Sequence, residues 1–364
     1  MDLSTYLFVT VLKIGRRVPE LTRDVVFKEF DSFYNVDVER PELEAAFADL
    51  QRQDLIALSG DTIDLTEHGR SVAFETSMRF GFDQGYAMEE RSAVDQTYRE
   101  RLRSKHGVIG LTDPTQREFA LRALRESAGP VLDAGCGRGE LTELFRRHTG
   151  HTVMGFDSSP TILDYARREY PHIDFRQHDL KDIVDYEGEF ASAVLVDSLY
   201  FVEDQEAVLG ALMERIRTSR EKRGASRASA AAPEGEADVE GSPGAGAGRG
   251  TRSSDTPAAP AHRLVIFYGT FCRPEDDHSV LAAENTPVAA FARSAGCHLQ
   301  VEDFTDAHSR IWQAKRAELE ALKDEYYRQR WAYLFWERFN EIEPISDLVE
   351  QGLHGRYVFV LEPS

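Results

Sequence analysis

The sequence predicts an α/β fold: an open, mostly parallel seven-stranded sheet with helices on both faces, preceded by a small helical module that carries a two-stranded hairpin. Three observations carry that expectation. From Val131 to the C-terminus, short apolar runs of strand length alternate with helix-like patterns, and such alternation implies parallel strands joined by crossovers. A glycine-rich turn, Gly135-Cys136-Gly137-Arg138-Gly139, follows the first of these runs and opens a helix at Glu140. Acidic residues then close the following runs in turn, at Asp157, Asp179 and Asp197.

Size and composition set the frame. At 364 residues the chain exceeds one ordinary domain, so two domains with a linker are expected. Hydrophobic residues make up 41% of the sequence, which suffices for a core, and no apolar run approaches the roughly 20 residues of a membrane helix. The N-terminus lacks a charged-then-apolar signal pattern, so a cytoplasmic protein without a membrane partner is expected. Cys136, Cys272 and Cys297 are odd in number and scattered, which fits a reducing compartment and suggests no metal site. The net charge is -20, and the cations comprise only seven lysines against 36 arginines. An acidic, lysine-poor surface suits a protein from a halophile, where molar salt screens like charges within roughly 3 Å.

The first 80 residues read as three helices, a hairpin and a closing helix. In the third helix Pro41 occupies the first turn, and Leu43, Ala46, Phe47 and Leu50 make one buried stripe. Leu55 to Leu58 and Thr62 to Leu65 pair across Ser59-Gly60-Asp61, and Thr66 caps the helix that follows. This order resembles a winged helix-turn-helix, assigned to residues 1–80. Residues 81–128 form a helical connector that packs on the main domain, residues 129–364.

In that domain the expected strands are Val131 to Asp133, Thr152 to Phe156, Ile173 to Arg176, Ala193 to Asp197, Leu264 to Tyr268, Leu299 to Asp303 and Tyr357 to Leu361. A helix is expected from Gln205 to Arg217. The stretch 219–262 is rich in Ala, Gly, Ser and Pro and nearly devoid of large apolar side chains, so it reads as a disordered insert. It enters the N-terminal edge of the next strand, whereas ligands of open parallel sheets bind at the C-terminal edge. A helical, lid-like insert spans residues 305–353.

The glycine turn carries the chemistry. Gly135, Gly137 and Gly139 let a ligand approach the backbone, with Cys136 in the pocket floor, while Leu141, Leu144 and Phe145 bury the next helix. The spacing differs from the dinucleotide fingerprint, whose third glycine falls one residue later. Asp133, two residues before the first glycine, sits awkwardly beside a diphosphate but suits an ammonium and a sulfonium, which favours S-adenosyl-L-methionine over a nicotinamide. Asp157, some 24 positions on, can accept both ribose hydroxyls, with Ser158 beside it. Asp179 can bond an adenine amino group while Leu180 covers the ring.

These features, with the strand Ala193 to Val202 ending in Asp197-Ser198-Leu199-Tyr200-Phe201, resemble the class I methyltransferases of Rossmann-like fold. The resemblance extends to the helix Tyr98 to Gly110 and the late helix Trp312 to Glu337, and covers residues 95–364 apart from the insert. It implies S-adenosyl-L-methionine held by Asp133, Gly135, Cys136, Gly137, Gly139, Asp157, Ser158, Asp179, Leu180 and Asp197. Tyr98, Tyr200, Tyr268 and Trp312 are the residues expected at the substrate. The acid-Gly-Asn turn usual in such late helices is replaced here by Arg328-Gln329-Arg330-Trp331.

Methyl transfer from a sulfonium is an in-line displacement in which positioning and water exclusion dominate, so a base need not exist. His178, His278, Asp197 and Tyr268 are the base candidates near strand ends. No Asn-Pro-Pro-Tyr tetrad stands at Asp197 to Tyr200, which leaves a small molecule as the expected acceptor. The aromatic stretch from Trp312 to Phe339 fits either a lid or core, and its helical spacing favours core. Two partner expectations attach to the first 80 residues, a homodimer and, as an alternative, nucleic acid. Glu42, Glu44, Asp49 and Asp54 against Arg52 speak against phosphate contacts by the third helix, although Arg16, Arg17 and Arg23 could form a basic patch.

Overall fold

The apolar alternation of the C-terminal strands resolves into two packed faces of one sheet. In the computed structural model, which describes residues 2–230 and 261–364, Leu132, Ala193, Leu195, Leu264, Ile266, Phe359 and Leu361 point to one face. Val131, Val194, Val265, Phe267, Val358 and Val360 point to the other, as the two-residue period of a strand demands.

The N-terminal elements are α1 (Leu3–Gly15), α2 (Arg23–Phe33), α3 (Arg40–Arg52), the hairpin β1 (Ile56–Ser59) and β2 (Thr62–Leu65), and α4 (Glu67–Phe80). Thr66 caps α4 by accepting the Gly69 N–H at 2.9 Å. A π-helical turn, Gly81–Gly85, leads into α5 (Tyr86–Arg91), α6 (Ala93–His106) and α7 (Pro114–Arg125). The sheet domain continues with β3 (Val131–Ala134), α8 (Glu140–Thr149), β4 (Val153–Asp157), α9 (Pro160–Glu169), β5 (Asp174–Gln177) and β6 (Ser192–Val196). Then come α10 (Gln205–Ala230), β7 (Leu264–Phe271), α11 (Pro287–Ser294), β8 (His298–Asp303), α12 (Thr305–Ala321), α13 (Lys323–Arg328), α14 (Ala332–Glu350) and β9 (His354–Glu362).

The sheet order is β5-β4-β3-β6-β7-β9-β8. Strands β5, β4, β3, β6 and β7 are mutually parallel, and β9 runs antiparallel to both its neighbours. The chain reverses to either side of β3, and this topological switch point puts a crevice at the C-terminal edge, at the turns that follow β3, β4 and β6.

Two expectations are corrected. The helix predicted to stop at Arg217 runs on to Ala230, so the first residues of the expected 219–262 insert are helical, and at its other end Ala261 makes a bridge with Ser127. Residues 231–260 lie outside the described residues. The helical segment 305–353 consists of α12, α13 and α14. It does not form a separate lid: Trp312, Tyr326, Trp331, Tyr333 and Phe335 share one continuous core with Leu7, Phe8, Phe30, Phe33 and Phe47 of the first three helices. Tyr333 meets Tyr34 and Phe80, each at 5.3 Å between ring centres, and Arg17 stacks on Trp336 at 3.3 Å. Apolar side chains too numerous for one layer have been buried by joining the N-terminal module to the roof of the sheet.

Candidate functional site

The glycine turn after β3 takes a conformation that its composition requires. Gly135 has φ 83°, and a Cβ there would fall 2.6 Å from the Cβ of Ser198, which follows β6. Gly137 has φ 52° and open space wherever a side chain would point, so its backbone faces an unfilled volume. Gly139 closes the turn as the residue preceding α8. Cys136 is buried, and burial holds its thiol well above the usual range, so it is a wall of the turn and not a nucleophile.

Asp157 ends β4 beside this turn. Its Oδ2 accepts the Gly137 N–H at 2.9 Å and its Oδ1 the Ser159 N–H at 3.0 Å, and burial raises its pKa against these bonds. Ser158 lies between them. Asp179 follows β5, accepts the Lys181 N–H at 3.1 Å and pairs with the Lys181 ammonium at 3.1 Å, at an accessible position. Leu180 is buried among Phe156, Ile183 and Tyr186, so it is a core residue at the edge of the crevice rather than a free cover.

Asp133 departs from its expected place. It lies beneath the turn, 1% exposed, and takes the Thr142 hydroxyl at 2.6 Å. Burial pushes its pKa up to about 7. Asp197 is likewise engaged: with φ 54° it turns its carboxylate into a two-toothed pair with Arg356, which also donates to Gln116 Oε1 at 3.0 Å. An Asp in this left-handed conformation is tolerated, and the guanidinium, 1% exposed, fixes it. Both acids therefore shape the crevice from behind.

The four residues expected at the substrate separate. Tyr98 and Trp312 are buried in the helical core: the Tyr98 hydroxyl donates to the Lys315 carbonyl at 3.4 Å, and Trp312 Nε1–H donates to His308 Nε2 at 3.0 Å. Tyr268 is buried and donates to Gln205 Oε1 at 3.0 Å. Only Tyr200 is accessible. It is 41% exposed, yet desolvation raises its hydroxyl well above its ordinary value, with Asp197, Arg356 and Glu341 acting on it in turn. Of the base candidates, His178 Nε2 bonds the Asp182 carbonyl at 2.9 Å, and His278 is exposed.

Sequence reasoning missed the roof over the turn. Arg138, inside the glycine turn, donates to Glu89 of α5 at 2.5 Å and stacks on Tyr86 and Tyr165 at 5.1 and 4.8 Å. Glu89 also accepts from Arg338 of α14 at 3.0 Å, and Arg338 binds the fully buried Asp95 with bonds of 2.7 and 2.8 Å. Glu341, one turn on from Arg338, acts electrostatically on Tyr86, Tyr98 and Tyr200 together. No local signal marks these pairs, because the partners lie up to 249 positions apart. Among the described residues no cluster of three or more metal-type ligands is present, and no helix is long and apolar enough to cross a membrane. A cavity of about 850 Å³ lies elsewhere, between the N-terminal module and the segment from Asp83 to Arg91.

Part of the chain is similar to known proteins. Residues 131–219, from β3 into α10, match the family model of a methyltransferase domain. The chain is 35% identical over 78 residues to 2-heptyl-1-hydroxyquinolin-4(1H)-one methyltransferase of Mycobacteroides abscessus, covering 20% of this chain and 33% of that one. It is 31% identical over 102 residues to trans-aconitate 2-methyltransferase of Delftia acidovorans, covering 27% and 38%. The matched stretch thus spans only 33% and 38% of the two relatives. Among solved structures it is similar to phosphoethanolamine N-methyltransferase 2 of Haemonchus contortus in complex with S-adenosyl-L-methionine, with a TM-score of 0.49, 15% identity, and 78% and 59% of the two chains covered.

Proposed function

We propose that this chain is an S-adenosyl-L-methionine-dependent methyltransferase that acts on a small-molecule acceptor. The observation that carries the reading is the open space at Gly137 beside the Asp157 carboxylate, at the edge where the methyltransferase-domain match begins. The residues present fit the cofactor. A left-handed glycine with open space where a side chain would stand lets a ligand approach the backbone closely, and a carboxylate holding two backbone bonds keeps acceptor positions for a diol. Asp179 and Leu180 would flank the base, Gly135, Cys136, Gly139 and Ser158 would shape the floor, and Asp133 and Asp197 would brace it.

When bound, the cofactor supplies an electrophilic methyl group on a sulfonium. The chain's own work is positioning. Arg356 holds Asp197, and with it the turn that carries Tyr200, while Glu89 and Arg338 hold Arg138 and so the glycine turn. Tyr200, accessible in the turn after β6 and within electrostatic reach of Glu341, would help to align an acceptor there. Residues 1–80, read as a winged-helix module, brace this roof. A nucleic-acid role is not favoured. Arg23 pairs with Asp61 and Glu44, Arg40 with Asp24, Arg52 with Asp49, and Arg17 stacks on Trp336, so these four cations of the module have partners within the protein.

The test is calorimetric titration with S-adenosyl-L-methionine. Micromolar binding is expected for the native chain. Asp157→Ala should weaken it at least tenfold, since bonds to a charged acceptor contribute roughly 1.5–3 kcal/mol each. Gly137→Val should abolish it by filling the open space. Undiminished affinity in both variants would place the cofactor elsewhere.

A further inference from the structure

We propose that the methyl acceptor is a flat aromatic molecule, seated on a platform that Tyr200, Phe201 and Phe271 build at the C-terminal edge of the sheet. The strongly exposed Phe and Tyr side chains among the described residues are Phe74, at 75%, and these three, at 41%, 60% and 40%. Phe74 stands apart on α4. The other three gather at one edge, and leaving apolar rings in water is unfavourable, so such a cluster marks a binding surface. The proposal rests on the cofactor reading above, since it names the acceptor for that same site.

Two adjacent parallel strands bring the rings to one place. Tyr200 and Phe201 stand in the short turn after β6, their ring centres 4.9 Å apart and tilted by 51°. Phe271 is the last residue of β7, the neighbouring strand. The pair of Asp197 and Arg356 links them. Arg356 reaches over from β9, where it stands opposite Gly269, and its Nη1 donates to Asp197, three residues before Tyr200. A Cβ on Gly269 would lie 3.9 Å from that Nη1 and 3.5 Å from Phe271 Cε2, so the Phe271 ring folds back beside the guanidinium. On the other side, Asp197 and then Arg356 are the charges that act most on the Tyr200 hydroxyl. The rings thus meet one ion pair from β6 and from β7.

The platform adjoins the glycine turn. Ser198, two residues before Tyr200, donates its hydroxyl to the Ala134 carbonyl at 2.8 Å, and its Cβ stands where a side chain on Gly135 would have to go. A molecule resting on Tyr200 is therefore next to the turn that would hold the cofactor. Flatness rather than charge is the selecting property, because the ions that act on Tyr200 are already matched: Asp197 with Arg356, and Glu341 with Lys315 at 3.5 Å. Ring faces carry partial negative charge and ring edges partial positive, so aromatic side chains favour a second flat ring over a saturated body of equal size.

The test uses the full chain, with S-adenosyl-L-homocysteine present, and two neutral probes with one carbon skeleton: 1-naphthol, which is flat, and decahydro-1-naphthol, which is saturated and puckered. Calorimetry should show saturable one-to-one binding of 1-naphthol, about tenfold or more tighter than that of decahydro-1-naphthol. Phe201→Ala and Phe271→Ala should each weaken 1-naphthol about fivefold or more and leave S-adenosyl-L-methionine affinity within about twofold, while Phe271→Tyr, which keeps the flat face, should retain binding. Phe74→Ala, which removes an exposed ring elsewhere, should change neither affinity. All three positions are exposed, and circular dichroism checks folding. No binding of 1-naphthol, equal affinity for the two probes, or undiminished 1-naphthol binding in both Phe201→Ala and Phe271→Ala would overturn the platform and leave the cofactor reading standing. A native chain that binds no S-adenosyl-L-methionine would overturn the cofactor reading, and the acceptor assignment with it.

Discussion

Asp133 shows how a residue that looks like a ligand can act through the fold. Its carboxyl is pushed up to about 7 first by burial and then by the charge of Asp157, against the Thr142 hydroxyl bond. In the unfolded chain an Asp titrates near 3.9. Between about pH 4 and 7 the native state therefore holds a proton that the unfolded state has released, and the stability contributed by Asp133 falls as pH rises through that window. Three pH units correspond to roughly 4 kcal/mol as an upper bound. Asp133→Asn is expected to flatten this decline, read as the difference in urea unfolding free energy between pH 5 and pH 7.5. Parallel pH dependence in the two proteins would mean that Asp133 is ionised when folded.

At the scale of elements, the link from α10 to β7 tests which edge of the sheet matters. The chain returns at Ala261, bridged to Ser127 before β3, and enters β7 at Leu264, at the N-terminal edge. The glycine turn and Asp157 stand at the opposite edge, beyond Ala134 and at the end of β4. Replacing residues 231–260 with a short Gly/Ser loop is expected to leave S-adenosyl-L-methionine affinity within about threefold, since loop length alters closure entropy only slowly. A tenfold weakening by calorimetry would show that the link reaches the binding edge.

For the whole molecule, the shared core decides whether the N-terminal module is separable. Leu7, Phe8, Phe30 and Phe33 pack with Tyr333, Leu334 and Phe335, and polar ties reinforce them: Lys13 pairs with Glu337, and Arg330 with Asp37 at 2.7 Å. Uncovering only a few such side chains, at roughly 1.5–3 kcal/mol each, rivals the 5–15 kcal/mol that holds a typical domain. Deletion of residues 1–80 is expected to give an insoluble or molten chain by circular dichroism and gel filtration. A soluble, cooperatively folding remainder would show that the module is only attached.

What the sequence determined by itself is local. The short apolar run at Val131 and Leu132 and the glycines that follow specify a strand and a turn, because both depend on backbone preference and local composition. Asp157 was legible for the same reason, as the residue that ends a strand of known direction. Tertiary structure alone decided that Asp133 and Asp197 are bound from behind, by Thr142 and Arg356, and that Tyr98 is core. It alone brought Glu89, Arg138 and Arg338 together over the turn. An ion pair depends on where two separate elements dock, and helical periodicity states which face is buried without stating against what.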